Sequence, residues 1–169
     1  SLDQENIQLR EQLSRVSEKN KNYVVAAILK RPPEIPYDTL VLDIGSQDGI
    51  TTGMTVTTYG EVLIGHVEEV FEGTSKVKLI SFPAEETEVV LGSQGVAISA
   101  KGRGGENLEI NLPRDIAVNI GDLITTPGLD NLAIGAVEKV ETSDSSPFQK
   151  IIFRLPINIR QLSYVMIEK

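Results

Sequence analysis

The chain has 169 residues, with 24 Asp and Glu against 16 Lys and Arg, a net charge of −8, and no cysteine. The acidic balance, with no basic cluster beyond Lys30-Arg31, argues against nucleic acid as a partner, since neutralising phosphates needs a basic surface. Disulfides, cysteine–zinc sites and thiol chemistry are excluded, and no apolar run approaches the ~20 residues that span a bilayer.

Residues 1–22 contain neither Gly nor Pro and are dominated by Gln, Glu, Leu, Arg and Lys, so they read as helix. Leu2, Leu9 and Val16 recur at heptad spacing, with Leu13 four residues after Leu9. Placing the first three at d puts Asn6, Leu13 and Asn20 at a, where asparagine fixes register and strand number. The expected dimerisation seam is therefore Leu2, Asn6, Leu9, Leu13, Val16 and Asn20. The alternative is an amphipathic helix packed on its own β domain, which usually carries a wider apolar stripe. Fewer than three heptads are marginal alone, and the chain opens on Ser1 rather than Met, so the helix is expected to continue upstream.

From Tyr23 the character changes. Tyr23–Leu29 is rich in strand formers, and Pro32, Pro33 and Pro36 make the following stretch a loop. Short apolar runs separated by Gly, Asp, Asn and Thr then continue to the C-terminus, as in a sandwich or small barrels. Within them a motif recurs. Gly53-Met54-Thr55-Val56-Thr57-Thr58-Tyr59-Gly60 leads to Ile64-Gly65-His66-Val67-Glu68-Glu69-Val70. Gly121-Asp122-Leu123-Ile124-Thr125-Thr126-Pro127-Gly128 leads in the same way to Ile134-Gly135-Ala136-Val137-Glu138-Lys139-Val140. The shared pattern is G-x-x-V/I-T-T-x-G, a loop, then I-G-x-V-E-x-V. The β-branched run is a strand, the second glycine suits a hairpin tip, and the glycine of the return strand suggests a bulge or tight bend. Two copies predict two related β units: a mainly β chain with a coiled-coil helix over 1–22, a first small barrel over 23–100 and a second over 101–169, strand exchange between them remaining open.

The segment Leu40–Val56, with its Gly45-Ser46-Gln47-Asp48-Gly49 block, resembles the MreC family of bacterial rod-shape-determining proteins. Leu63–Val67, Thr74–Ile80, Val118–Leu129 and Ile134–Val137 extend that resemblance over most of the chain. One departure is the stretch Asp130–Ala133, where family members often carry a longer Gly-, Phe- and Pro-rich segment. The resemblance implies two six-stranded barrels on the extracytoplasmic face of the cytoplasmic membrane, periplasmic or outer, anchored by a transmembrane helix ahead of the coil. It further implies self-association and a scaffolding role in peptidoglycan synthesis during elongation, in contact with the cell-wall transpeptidase and membrane shape proteins. An adaptor subunit of an efflux or secretion system is the alternative, although such adaptors place a long helical hairpin between halves of a lipoyl-like domain.

No constellation of reacting groups is evident, so a non-catalytic chain without cofactor or metal is expected. His66, the only histidine, would need an aspartate such as Asp115 or Asp122 and a serine such as Ser143, Ser145 or Ser146 to form a triad. Those serines stand in a polar turn, and His66 occupies a variable position of the repeat. Lys101–Gly105 lacks the pattern of a phosphate loop and reads as a flexible connector between the units. Asp43, Asp48, Glu68 and Glu69 lack calcium-loop spacing, and Glu85–Glu88 reads as a solvated loop. Tyr59 and Phe148, near predicted turns, are the candidate partner contacts.

Overall fold

The computed structural model describes residues 4–8, 22–92, 95–128 and 131–169. Residues 4–8 are helical and exposed, so Asn6 faces solvent. Leu2, Leu9, Leu13, Val16 and Asn20 of the expected seam lie outside the described residues.

The described chain is otherwise almost entirely β. Its strands are β1 (Tyr23–Lys30), β2 (Thr39–Leu42), β3 (Thr55–Thr58), β4 (Val62–Val70), β5 (Ser75–Leu79), β6 (Glu86–Leu91) and β7 (Val96–Gly104). They continue as β8 (Asn107–Pro113), β9 (Leu123–Thr125), β10 (Ala133–Ala136), β11 (Lys139–Thr142), β12 (Phe148–Arg154) and β13 (Tyr164–Glu168). Among the described residues a single 3-10 turn, Ser46–Asp48, interrupts the first half.

Six strands close on themselves in the order β4-β3-β13-β1-β2-β5, with β5 returning to β4. This closed barrel has no free edge, which removes the usual liability of exposed strand pairing. Alternation sets its interior: in β5, Ser75, Val77 and Leu79 are buried while Lys76 and Lys78 face outward. Leu40, Leu42, Val56, Ile64 and Ile167 fill the barrel without measurable exposure. Each contributes about 1.5–3 kcal/mol by leaving water.

The remaining strands run β10-β9-β6-β7-β8-β12-β11, and β10 meets the barrel through the parallel pair Ala133↔Val62. Leu108, Ile110, Leu112, Ile151 and Phe153 are their buried face. The pairings cross the residue-100 boundary in both directions. Strands β6 and β7 pair with β9 and β8, whereas β13, at the C-terminal end, lies between β1 and β3.

Both copies of the motif adopt one geometry. Gly53 and Gly121 hold left-handed conformations, φ 89° and 94°, and donate to the carbonyls of Val67 and Val137, each at 2.8 Å. The return strands bulge at the same place, around Ile64 and around Ile134. A Cβ on Gly65 would collide with the Lys78 carbonyl oxygen, so this glycine is required by close approach of the neighbouring strand.

Two loop expectations are corrected. Lys101–Gly104 is not a connector but the end of β7, and Glu86–Glu88 is strand within β6. In the first case the inward position is Gly102, whose missing side chain makes room for the Phe82 carbonyl. The alternation is present, but its apolar beat is silent. In the second, Glu86 and Glu88 are the solvent-facing half of an alternating strand.

Candidate interaction surfaces

Several of the titratable groups named as candidates for chemistry are occupied structurally. Asp43 accepts the Ala27 N–H at 2.8 Å, and Asp48 accepts the Gly45 N–H at 3.0 Å across the 3-10 turn. Glu68 pairs with Lys78 (3.5 Å) and Lys76 (3.9 Å), and Lys78 also reaches Glu85 (3.6 Å) and lies 4.7 Å from the centre of the Phe82 ring. These half-exposed ion pairs contribute little to stability individually.

His66 sits on the outside of β4, opposite Thr55 and Lys78. Its burial lowers its pKa, partly offset by nearby Glu85. Among the described residues no hydrogen bond joins it to Asp115, Asp122 or the serines of residues 143–146. Ser143 and Ser145 instead meet each other at 3.0 Å, and Ser146 accepts the Phe148 N–H. No group of three metal-binding side chains occurs among the described residues.

Tyr59 lies between β3 and β4, where it and Gly60 are the central residues of a turn from Thr58 to Glu61. Both central residues have positive φ, 54° at Tyr59 and 70° at Gly60, and the Glu61 N–H closes the turn on Thr58 at 3.0 Å. A non-glycine residue there is strained by roughly 1–2 kcal/mol. Tyr59 and Tyr164 are both about half exposed, and with Gln161, Leu162, Ser163, Glu5 and Gln8 they line a hollow of about 340 Å³. Val25 and Leu29 add exposed apolar area on β1, which pairs with β13. Phe148 is also exposed, but it begins β12 opposite Pro113. The structure does not bring the two aromatics together, because β12 shares no pairing with β3 or β4.

A larger cleft, about 600 Å³, separates the barrel from the other strands and is lined by Asp38, Glu106, Glu138, Arg154, Arg160 and neighbouring apolar residues. Asp38 is only 5 % exposed. Its carboxylate accepts the N–H groups of Gly105 (2.9 Å) and Glu106 (2.8 Å) and the Ser81 hydroxyl. It therefore joins the start of the barrel's β2 to the β7–β8 hairpin. Arg31 adds a second tie by donating to the carbonyls of Ile159 (3.1 Å), Arg160 (3.2 Å) and Leu162. Glu106 has its pKa raised, first by burial and then by Asp38, with Arg160 and Arg154 opposing. Sequence reasoning missed Asp38, Glu106 and Tyr164. Asp38 had a signal, an acid directly before an apolar strand after a proline loop; the partners that give it meaning are distant in sequence.

These observations define the class: a mainly β protein built on a closed six-stranded barrel, with Asp38, Asp43, Asp48 and Glu68 engaged in structural contacts and with apolar side chains on its outside. Residues 28–169 match the family described as "Rod shape-determining protein MreC, barrel core". The chain belongs to the MreC family. It is 29% identical over 177 residues to the Haemophilus influenzae cell shape-determining protein MreC, covering 98% of this chain and 50% of that one. Against the Escherichia coli protein of the same name it is 24% identical, covering 97% and 46%. The chain thus spans about half the length of these relatives. Among solved structures, one described as MreC superposes with a TM-score of 0.86 at 22% identity over 99% of both chains. The Pseudomonas aeruginosa MreC crystal structure gives 0.78 at 22% identity, covering 86% and 98%. A complex between Penicillin-Binding Protein (PBP2) and MreC from Helicobacter pylori matches at 0.60 and 16% identity, over 88% of this chain and 98% of that one.

Proposed function

We propose that this chain is a non-catalytic scaffold of the machinery that synthesises peptidoglycan during bacterial cell elongation, and so controls cell shape by binding and positioning. Membership of the MreC family is the observation that carries this reading. The use of Asp43, Asp48, Glu68 and Asp38 in structural contacts supports it. In this reading the strands outside the closed barrel form a second barrel that arose by duplication. Val137 and Glu138 interrupt the strand that β10 and β11 would make together, matching the unbroken β4.

The chain acts on the extracytoplasmic face of the cytoplasmic membrane, held there by a transmembrane helix ahead of the coil. It self-associates through Leu2, Asn6, Leu9, Leu13, Val16 and Asn20. Its partners are a cell-wall transpeptidase, for which the Helicobacter pylori complex is the precedent, and membrane shape proteins. Tyr59 and Phe148 are contacts on separate faces. Tyr59 is the better supported of the two, because a strained, exposed aromatic is what a binding turn retains. The adaptor reading needs a helical hairpin between β halves, and among the described residues the segment between β1 and β13 holds only one 3-10 turn.

The test is interferometry between the purified chain and the extracytoplasmic region of the cell-wall transpeptidase from the same bacterium. Saturable binding is expected, and its absence at micromolar concentrations refutes the scaffold reading.

A further inference from the structure

The two copies of the motif provide an internal control on which surface residues folding requires. Their backbones are equivalent: Val67 donates to the Met54 carbonyl and Val137 to the Asp122 carbonyl, each at 2.9 Å. The cross-strand pair Thr55↔His66 in the first copy corresponds to Leu123↔Ala136 in the second. Thr52, before the first motif glycine, corresponds to Ile120. Three polar positions of one copy are thus apolar in the other. Ile120 is 73% exposed and Leu123 56%, so neither is there to fill a core. The first copy shows that this geometry folds with threonine at both positions.

The apolar character continues across the sheet. Ala97, Val90, Thr125 and Ala133 form one row over four strands, joined by successive cross-strand pairs. None is charged, and Val90, Thr125 and Ala133 are only partly buried while Ala97 is exposed. Acids border this face: Glu88 is exposed two residues along β6 from Val90, and Glu61 is exposed beside Ala133, its backbone carbonyl accepting the Ala133 N–H at 2.8 Å. An apolar centre with an acidic margin fits a partner whose aliphatic side chains are flanked by lysine or arginine, the margin setting orientation and salt dependence.

We infer that the outer face of β9 and β10 around Leu123 and Ala136, with the exposed Ile120 just ahead of β9, docks such a basic-margined apolar segment. This rests on the scaffold reading, and the partner it names is the transpeptidase proposed above. The face belongs to one copy of the repeat only, which separates a binding role from a folding role.

The experiment measures binding of the transpeptidase's extracytoplasmic region to three variants of the full chain. The double variant Ile120→Thr with Leu123→Thr installs the first copy's residues, so its thermal transition should match the parent's. Its affinity is expected to fall at least about tenfold, as for central apolar contacts. Leu123→Lys, which sets a cation against a basic margin, should lose at least as much. Phe71→Ser, at an exposed aromatic in the turn between β4 and β5, should bind within about twofold of the parent. Undiminished binding by folded Ile120→Thr/Leu123→Thr and Leu123→Lys overturns the inference while leaving the scaffold reading intact. No binding by the parent overturns both.

Discussion

Glu106 occupies the tip of the β7–β8 hairpin with a left-handed backbone, φ 68°, because its N–H must point at the Asp38 carboxylate. The consequence falls on its own side chain, which is carried into the cleft beside a second acid. Burial raises its pKa and Asp38 adds to the rise; Arg160 and Arg154 offset only part of it. A carboxyl whose folded pKa is raised binds its proton more tightly folded than unfolded. Stability therefore declines as pH rises through the window just above the ordinary carboxylate range, and the loss persists at neutrality. Glu106→Gln has no charge to desolvate. It is expected to be more stable than the parent at pH 7, with the advantage shrinking as the pH falls through that window and gone below about 4. Urea midpoints across that range check this. A variant less stable at neutral pH would mean that attraction to the two arginines outweighs burial.

At the scale of elements, the N-terminal helix depends most on sequence argument. Its seam is narrow, confined to a and d with asparagine at two of the three a positions, which suits a partner helix better than a sheet. Replacing Leu9 and Leu13 together by Asp places charges at d and a. The variant is expected to lose self-association in light scattering while its far-ultraviolet spectrum keeps the β signature. An unchanged molar mass would show that the seam lies elsewhere. Among the strands, those with a visible beat were legible from sequence: β1 from its run of Val, Ala and Ile, and β3, β4, β9 and β10 from the repeated motif. The end of β7 was hidden because Gly102 takes the inward position, and the start of β6 because its glutamates looked like a charge run when they are one face of a strand. The Asp38 tie was illegible for another reason. A carboxylate's role is set by what faces it, and here the Gly105 and Glu106 amides arrive from far along the chain.

For the whole molecule, the decisive strand is β13. The apolar run Ser163–Ile167 reads as a strand but says nothing about its neighbours, so the sequence places it in the C-terminal unit with strand exchange left open. It instead closes the N-terminal barrel, with Val24 opposite Ile167 on one side and Val56 opposite Ile167 on the other. Val165, Met166 and Ile167 are buried there, and together they contribute several kcal/mol at about 1.5–3 kcal/mol each. That is comparable with the total stability of a typical domain, about 5–15 kcal/mol. A chain ending at Leu162 should therefore lose the barrel, since β1 and β3 would each be left with an unpaired, apolar edge. The pairing of β8 with β12, from Phe148↔Pro113 to Arg154↔Asn107, makes no use of β13. Hydrogen exchange on the shortened chain should show rapid exchange of amides in β1 and β3 and retained protection in β8 and β12. Protection kept in β1 and β3 would mean that closure by the C-terminal strand is dispensable. Loss of protection in all four would mean that the cleft ties through Asp38 and Arg31 make the two sets of strands one cooperative unit.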